Sequence, residues 1–456
     1  MASNALSLTD SLSMTELHTI SQFQVFKNRK TIFKNPLPFH RANFEKYGDI
    51  FRVRVSFRKA VIFTRDAAII KHILQKQHRK YQKSELQTVD LAKYVGHGIL
   101  TSNGEHWRVH RRMVQPAFHK KKLQGLLGIM KQAIDSEIKK IEPGTTQNVF
   151  PLMGDLAFQV VAQALFSRSD IQKNMEKLQD FTERNQKMLI REMRQPYLKW
   201  WFILSGKIKK HLNLAEQGRN ILNDIIEERL ASQVKKDDLL DMLLIATYED
   251  GTHMPRRQLI DEVLILFTAG HETTANALSF TLYLLAKHPT IQNKILQEVE
   301  DIDLERDDLM QCLSKLTYTK QCIEEALRLY PPAYVIDRTA IADDIVKGQS
   351  FPKGSLVLMS IYELHRSSAF WDAPEEFNPD RFDNELKRDY SSHYYPFGAG
   401  PRMCVGNNFA MYEMIMAIAQ IIKKFQISTN LKTVEVNPMI SLKPVEVPIK
   451  FIARLW

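Results

Sequence analysis

The pattern of apolar and polar positions changes character several times along the 456 residues. Ile50-Phe51-Arg52-Val53-Arg54-Val55 alternates with a period of two, and Ala60-Val61-Ile62-Phe63 is a short apolar run. Successive strand side chains point to opposite faces, so the two runs predict a β-hairpin. Residues 66–75 shift to helical spacing. Residues 79–104 have weak periodicity and end in Gly96-His97-Gly98 and Asn103-Gly104, which predicts a long loop with short helical pieces. From 123 to 287 the helical period dominates, with amphipathic segments at 123–141, 152–166, 171–191 and 214–231. Residues 255–286 predict one long helix, with Pro255 in its first turn and a stop at His288-Pro289.

The ends of the chain are less regular. Residues 1–25 predict a loosely ordered leader, and 26–39, basic and carrying Pro36 and Pro38, an irregular entry segment. A helix over 318–330 is stopped by Pro331-Pro332. An apolar strand begins near Tyr334, and 365–392 reads as an irregular meander. Alternating segments at 434–436 and 445–451 predict a terminal hairpin, with Pro448 suited to an edge strand.

Composition narrows the classes. The chain is 44% hydrophobic and 25% charged, ordinary globular values. The net charge of +11 is dispersed over 63 basic and 52 acidic residues, and no nucleic-acid motif accompanies it. An acidic protein is the preferred counterpart of this surface, with Arg108, Arg112 and Lys120-Lys121-Lys122 as its candidate docking residues. Cys312, Cys322 and Cys404 form neither a disulfide framework nor a zinc spacing, which suits a reducing, cytoplasmic setting. Residues 1–22 contain no apolar run long enough for a signal peptide or membrane span.

Chemistry concentrates first at Phe397-Gly398-Ala399-Gly400-Pro401-Arg402-Met403-Cys404-Val405-Gly406. An amphipathic stretch begins at Asn407, so the sulfur sits at a helix N-terminus, where partial positive charge favours thiolate. The glycines permit a tight turn and a close approach by a flat ligand. Neighbouring amides could donate to the sulfur, and Arg402 could meet an anionic edge of the ligand. A thiolate beneath a flat, anion-bearing cofactor suggests haem. A lone cysteine is more often a small buried hydrophobe. The pattern F-x-x-G-x-R-x-C-x-G outweighs that reading, because it resembles the haem-binding signature of the cytochrome P-450 family, the haem-thiolate monooxygenases.

A second constellation, Ala269-Gly270-His271-Glu272-Thr273-Thr274, lies in the middle of the long predicted helix. Glycine there costs about 1 kcal/mol against alanine, and such a local conflict often marks a functional site. It resembles the family's oxygen-activation motif. That resemblance implies that Glu272 and Thr273 form an acid–alcohol pair guiding protons to dioxygen, with Ala269 and Gly270 lining the distal face of the haem. His271 points about 100° away from its neighbours and reads as structural.

Trp107 and Arg111 are four apart and share a helix face; both are donors. W-x-x-x-R resembles the family's haem-propionate pair, and Arg338 and Arg402 resemble further propionate positions. Glu325-Ala326-Leu327-Arg328 resembles the family's E-x-x-R helix. With Arg381, in Phe377-Asn378-Pro379-Asp380-Arg381-Phe382, it implies a buried structural Arg–Glu–Arg network, Asp380 standing where glutamate is common.

The resemblance runs from about Phe39 to the end. It implies a mainly α fold with a small β-rich lobe near 45–75 plus C-terminal β segments, forming one domain over 26–456. It further implies haem b (iron protoporphyrin IX) with Cys404 as axial thiolate, and insertion of one oxygen atom from O2 into an apolar substrate, fatty acid or terpenoid-like. Electrons would come from NAD(P)H through a ferredoxin or flavodoxin and its reductase, because no flavin or iron–sulfur segment is present in the sequence. The expected protein is a cytoplasmic monomer of the soluble bacterial type. A peroxide-driven peroxygenase or isomerase is the alternative on this fold, and a haem sensor a more distant one.

Overall fold

The computed structural model describes residues 16–55, 59–167, 172–383 and 389–454. The strands are β1 (Thr19–Ile20), β2 (Ile50–Arg54), β3 (Ala60–Thr64), β4 (Tyr81–Gln82), β5 (Thr146–Asn148), β6 (Val335–Ala340), β7 (Asp344–Val346), β8 (Gln349–Phe351), β9 (Leu356–Ser360), β10 (Phe425–Ser428), β11 (Val436–Pro438), β12 (Leu442–Pro444) and β13 (Pro448–Ala453). The helices that frame the site are α1 (Gly104–Val114), α2 (Lys120–Ile138), α3 (Val149–Phe166), α4 (Gln172–Arg194), α5 (Lys207–Ser232), α6 (Arg256–Lys287), α7 (Thr317–Leu329) and α8 (Asn407–Lys424).

Helices dominate, and the main sheet orders its strands β1-β2-β3-β9-β6-β4. The expected hairpin is β2–β3, antiparallel, with Phe51 opposite Phe63. Its inward faces bury Phe51, Val53, Val61 and Phe63, as the alternation requires.

The α6 helix runs through the helical core and buries residues 259–265 and 274–286, while the stretch between them keeps partly exposed positions. Against it packs α3, where Phe158 meets Phe267 edge to face at 5.4 Å. Among the described residues, α3 is the one helix long and apolar enough to cross a membrane, and 61% of it is buried inside this fold.

Three expectations change. Residues 1–15 of the leader lie outside the described residues, but Thr19–Ile20 pairs in parallel with Arg52–Val53, and Leu17 and Ile20 are buried. A helix, Gln22–Lys27, follows with a Ser21–Gln24 capping box. The segment 26–39 is helical rather than irregular, because Pro36 and Pro38 sit at and just inside the start of the helix Leu37–Tyr47, where a missing N–H is tolerated. The terminal hairpin pairs Val436–Pro438 with Leu442–Pro444, while β13 leaves it to lie between β10 and β5. Pro448 is therefore the first residue of a central strand, not part of an edge strand.

One core group carries a measurable consequence. Glu413 in α8 is fully buried, and neither carboxyl oxygen has a partner among the described residues. Burial pushes its acid well above the ordinary 4.5. The unfolded chain ionises first, so stability present below 4.5 is lost as pH rises toward the folded value, at up to about 1.4 kcal/mol per pH unit. Glu413→Gln should gain stability over the parent on going from acid to neutral pH. A pH-independent difference between their melting curves would contradict this.

Candidate active site

The cysteine loop is built by turns. Gly398 and Gly400 have φ of 71° and 70°, and a side chain at Gly400 would begin 2.0 Å from the Leu74 carbonyl oxygen. The Cys404 N–H donates to the Phe397 carbonyl at 2.9 Å, closing the loop on itself. Gly406 caps α8 and packs 3.6 Å from Phe118, measured from where its Cβ would be. The Gly406 N–H donates to the Cys404 sulfur. Cys404 keeps exposed surface, yet protein surrounds it on its other sides. Burial therefore pushes the thiol up, while the Gly406 amide and Arg111 pull it down. A helix N-terminus alone does not make this sulfur a thiolate; a bound metal ion would deprotonate it outright.

Next to the loop is a cluster of cations, with Lys83 and Arg338 buried and Arg402 half-buried. Arg338 donates to the Asp337 carbonyl at 2.7 Å, and Arg402 donates to Asn103 Oδ1 at 2.6 Å while lying over the Trp107 ring at 4.9 Å. Lys83, buried, donates to the Ile99 carbonyl. Asp337, the carboxylate beside them, is engaged by Ser84 and Gln87. Burial, then Arg402 and Arg338, holds the Lys83 ammonium well below its usual range; burial, then Arg338, brings Arg402 down to about 10. Like charges buried together are costly without an anion. A ligand bearing two carboxylates fits this donor set, and Cys404 in the same loop supplies a soft metal donor. Lys83 and Asn103, which joins Lys83 to Arg402 through its own hydrogen bonds, have no local sequence signal.

Arg111 shares a face with Trp107, but its guanidinium donates to the Met403 carbonyl at 2.9 Å and to Gln115 at 3.0 Å. It braces the cysteine loop, and it is Arg402 that stacks on Trp107.

On α6, Thr273 Oγ1 donates to the Ala269 carbonyl at 2.8 Å and Thr274 Oγ1 to that of Gly270 at 2.9 Å. Ala269 is exposed and Thr273 half-buried in the middle of a helix that is otherwise mostly core. Glu272 accepts from Ser441 Oγ at 2.6 Å and from Gln186. Ser441 in turn accepts from Asn276 at 2.9 Å. The acid is thus held by α4 and by the tip of the β11–β12 hairpin, two partners remote in sequence. A Cβ at Gly270 would lie 3.2 Å from Val161 of α3, so the small residue also lets these two helices pack closely. His271 is structural, bonded to the Phe267 carbonyl and packed on Phe158.

The charge network is complete. Arg328 donates to both Glu325 oxygens at 2.7 and 2.8 Å, and Arg381 to one at 3.3 Å. Glu325 and Arg328 are 0% exposed.

The family described as Cytochrome P450 matches residues 19–451. The chain is 30% identical over 409 residues to cytochrome P450 CYP72A613 of Trigonella foenum-graecum, covering 85% of this chain and 77% of that protein. It is 28% identical to cytochrome P450 4d2 of Drosophila melanogaster (86% and 83% covered). It is 29% identical to the protein LUTEIN DEFICIENT 5, chloroplastic, of Arabidopsis thaliana (84% and 68% covered).

Proposed function

The chain belongs to the cytochrome P450 family, and from that premise we propose that Cys404 would hold the iron of its haem as thiolate ligand, with Glu272 and Thr273 handling the protons. The reaction class is haem-thiolate monooxygenation. Bound haem would supply the redox and dioxygen chemistry, with the Cys404 thiolate as its electron-donating ligand. The observation that carries the site assignment is the cluster of buried Lys83 and Arg338 with half-buried Arg402, which calls for an anion within reach of the cysteine loop.

Each residue has a derived task. Arg338, Arg402 and Lys83 hold the carboxylate edge, with Trp107 stacked on Arg402. The Gly406 amide donates to the sulfur and limits its basicity. Arg111 fixes the Met403 carbonyl, one residue from the ligand. Ser441 and Gln186 orient the Glu272 carboxylate. The Thr273 hydroxyl, anchored one turn back, passes a proton along the helix face.

The substrate we propose is an apolar molecule of fatty-acid or terpenoid class. Electrons come from NAD(P)H through a ferredoxin or flavodoxin with its reductase, and the three free cysteines suit a cytoplasmic setting. The decisive test is spectroscopic: the reduced protein under carbon monoxide should show the red-shifted Soret band of thiolate ligation. Thr273→Ala should retain that band while productive oxidation falls about 10²-fold and the electrons leave as hydrogen peroxide. Unchanged coupling of NADPH to product would remove Thr273 from the proton path.

A further inference from the structure

A groove of about 460 Å³ lies on the surface between the first half of α2, the end of α5 and the short helix Leu239–Leu244. That volume is within the range of about 300–1,000 Å³ usual for small-molecule sites. None of the residues that line it belongs to the cysteine loop, the cation cluster or the centre of α6. Along α2 the lining runs through Lys122, Gly125 and Ile129, positions i, i+3 and i+7 of one helix face. The helical rise sets Ile129 about 10 Å beyond Lys122. Glycine is the poorest helix former after proline, so one at position 125 needs a reason. Packing does not supply it, because a Cβ there would meet nothing within 4 Å. The missing side chain leaves open space on the floor of the groove. On the other walls, Leu230, Val234 and Ile245 are 53%, 49% and 67% exposed. Three large aliphatic side chains thus meet water around one depression.

The rim is cationic. Lys121, Lys122, Lys235 and Lys236 line the groove, against two carboxylates, Asp237 and Asp241. Asp241 is already engaged: it accepts from Arg229 at 2.6 Å and from the Lys236 N–H at 2.5 Å. Lys120, Lys121 and Lys122 also begin α2, whose first turn holds no acidic residue. Cations are unfavourable at that positive helix end, where an anion is favoured. The wall that carries Lys235 and Lys236 is fixed in advance. Gln233 and Asp237 take φ of 53° and 55°. Arg229 ties the turn down by donating to Asp238 at 2.7 Å and to the Phe166 carbonyl at 2.6 Å. A preformed wall loses less freedom when a ligand enters.

We propose that this groove binds a free long-chain carboxylate, its head among the four lysines and its chain across Gly125 onto Ile129, Leu230, Val234 and Ile245. A bare anion would engage the lysines and leave the aliphatic walls wet, and an uncharged lipid would do the reverse. An anion with an apolar tail answers both. A helix of an acidic partner, about 10–12 Å across, would stand proud of a depression of this size. The site is independent of the roles proposed for Cys404 and Glu272.

The test uses the haem-loaded full chain and a hexadecanoate that carries a diazirine on its chain. After irradiation, peptide mass mapping should place label between residues 123 and 131 and between 227 and 246. Unlabelled hexadecanoate should displace it at concentrations about tenfold or more below hexadecanol, because the acid alone brings a charge to the lysines. Lys122→Gln together with Lys235→Gln should remove that preference. Gly125→Leu should cut the labelling about tenfold or more by filling the floor, and Gly128→Leu, on α2 but off the lining, should leave it unchanged. Both leucines replace a glycine within a helix and should melt no lower than the parent, so loss of label in the first alone cannot come from unfolding. Label confined to other peptides, those of the cysteine loop and the centre of α6 included, overturns the site, as does full labelling of Gly125→Leu. Equal displacement by hexadecanol, or a preference that survives the loss of both lysines, overturns the carboxylate head. Displacement by hexaglutamate as readily as by hexadecanoate overturns the lipid in favour of an acidic protein.

Discussion

Cys404→Ala protein, reduced under carbon monoxide, shows no red-shifted Soret band, and its NADPH-driven oxygenation with a surrogate ferredoxin and reductase falls to background. No other thiol can substitute, because Cys312 and Cys322 are buried in the helical core. The loop itself should survive the change. Its closure uses the backbone N–H of residue 404 to Phe397, the Met403 N–H to Gly400 and Arg111 to the Met403 carbonyl. None of these needs the sulfur. Lys83, Arg338 and Arg402 also remain, so haem content should fall less than activity does. That contrast separates loss of the ligand from loss of the site. Normal turnover by the variant, or a thiolate spectrum in it, would refute the assignment of Cys404.

The parts legible in the sequence were those whose chemistry is local. Turn glycines, the sulfur and the start of α8 lie within ten residues, so the loop and its geometry follow from the order of residues alone. The long helix α6 was legible from its caps and its anomalous centre. The partners of that centre were not: Gln186 and Ser441 reach Glu272 across 86 and 169 positions. Lys83 carried no pattern, since a single lysine becomes a site residue only when folding buries it beside Arg338 and Arg402. The packing of Gly270 against Val161 was not legible either, because a glycine opened for a ligand and one set against a neighbouring helix look alike in sequence. Pro448 failed for the related reason that a strand's place in its sheet is a tertiary fact.

Glu325→Ala should destabilise the fold by about 3–5 kcal/mol, the largest loss expected of any single polar substitution here. The carboxylate accepts from Arg328 twice, from Arg381 and from the Asn378 N–H at 3.0 Å. Removing it strands two guanidinium groups, one of them with no exposure at all. Arg328 also donates to the carbonyls of His365, Pro374 and Glu376, which pins 365–376 onto α7. From that segment His365 accepts the Tyr395 N–H at 2.9 Å, while Tyr394 OH bonds the Glu324 carbonyl at 2.8 Å. Tyr395 is two residues from Phe397, where the cysteine loop begins. Damage at Glu325 therefore travels along hydrogen bonds to the loop before it reaches the helical core. Haem loss in Glu325→Ala should precede global unfolding in a thermal scan, whereas in the parent the two should coincide. Glu325→Gln should sit between them, because the amide keeps one acceptor but removes the charge that two arginines share. A lysine at 328 cannot replace the arginine, since five donated bonds from a planar fork have no counterpart in an ammonium. If Glu325→Ala melts within about 1 kcal/mol of the parent, near the level of a solvated surface pair, the network is not what holds this segment to α7.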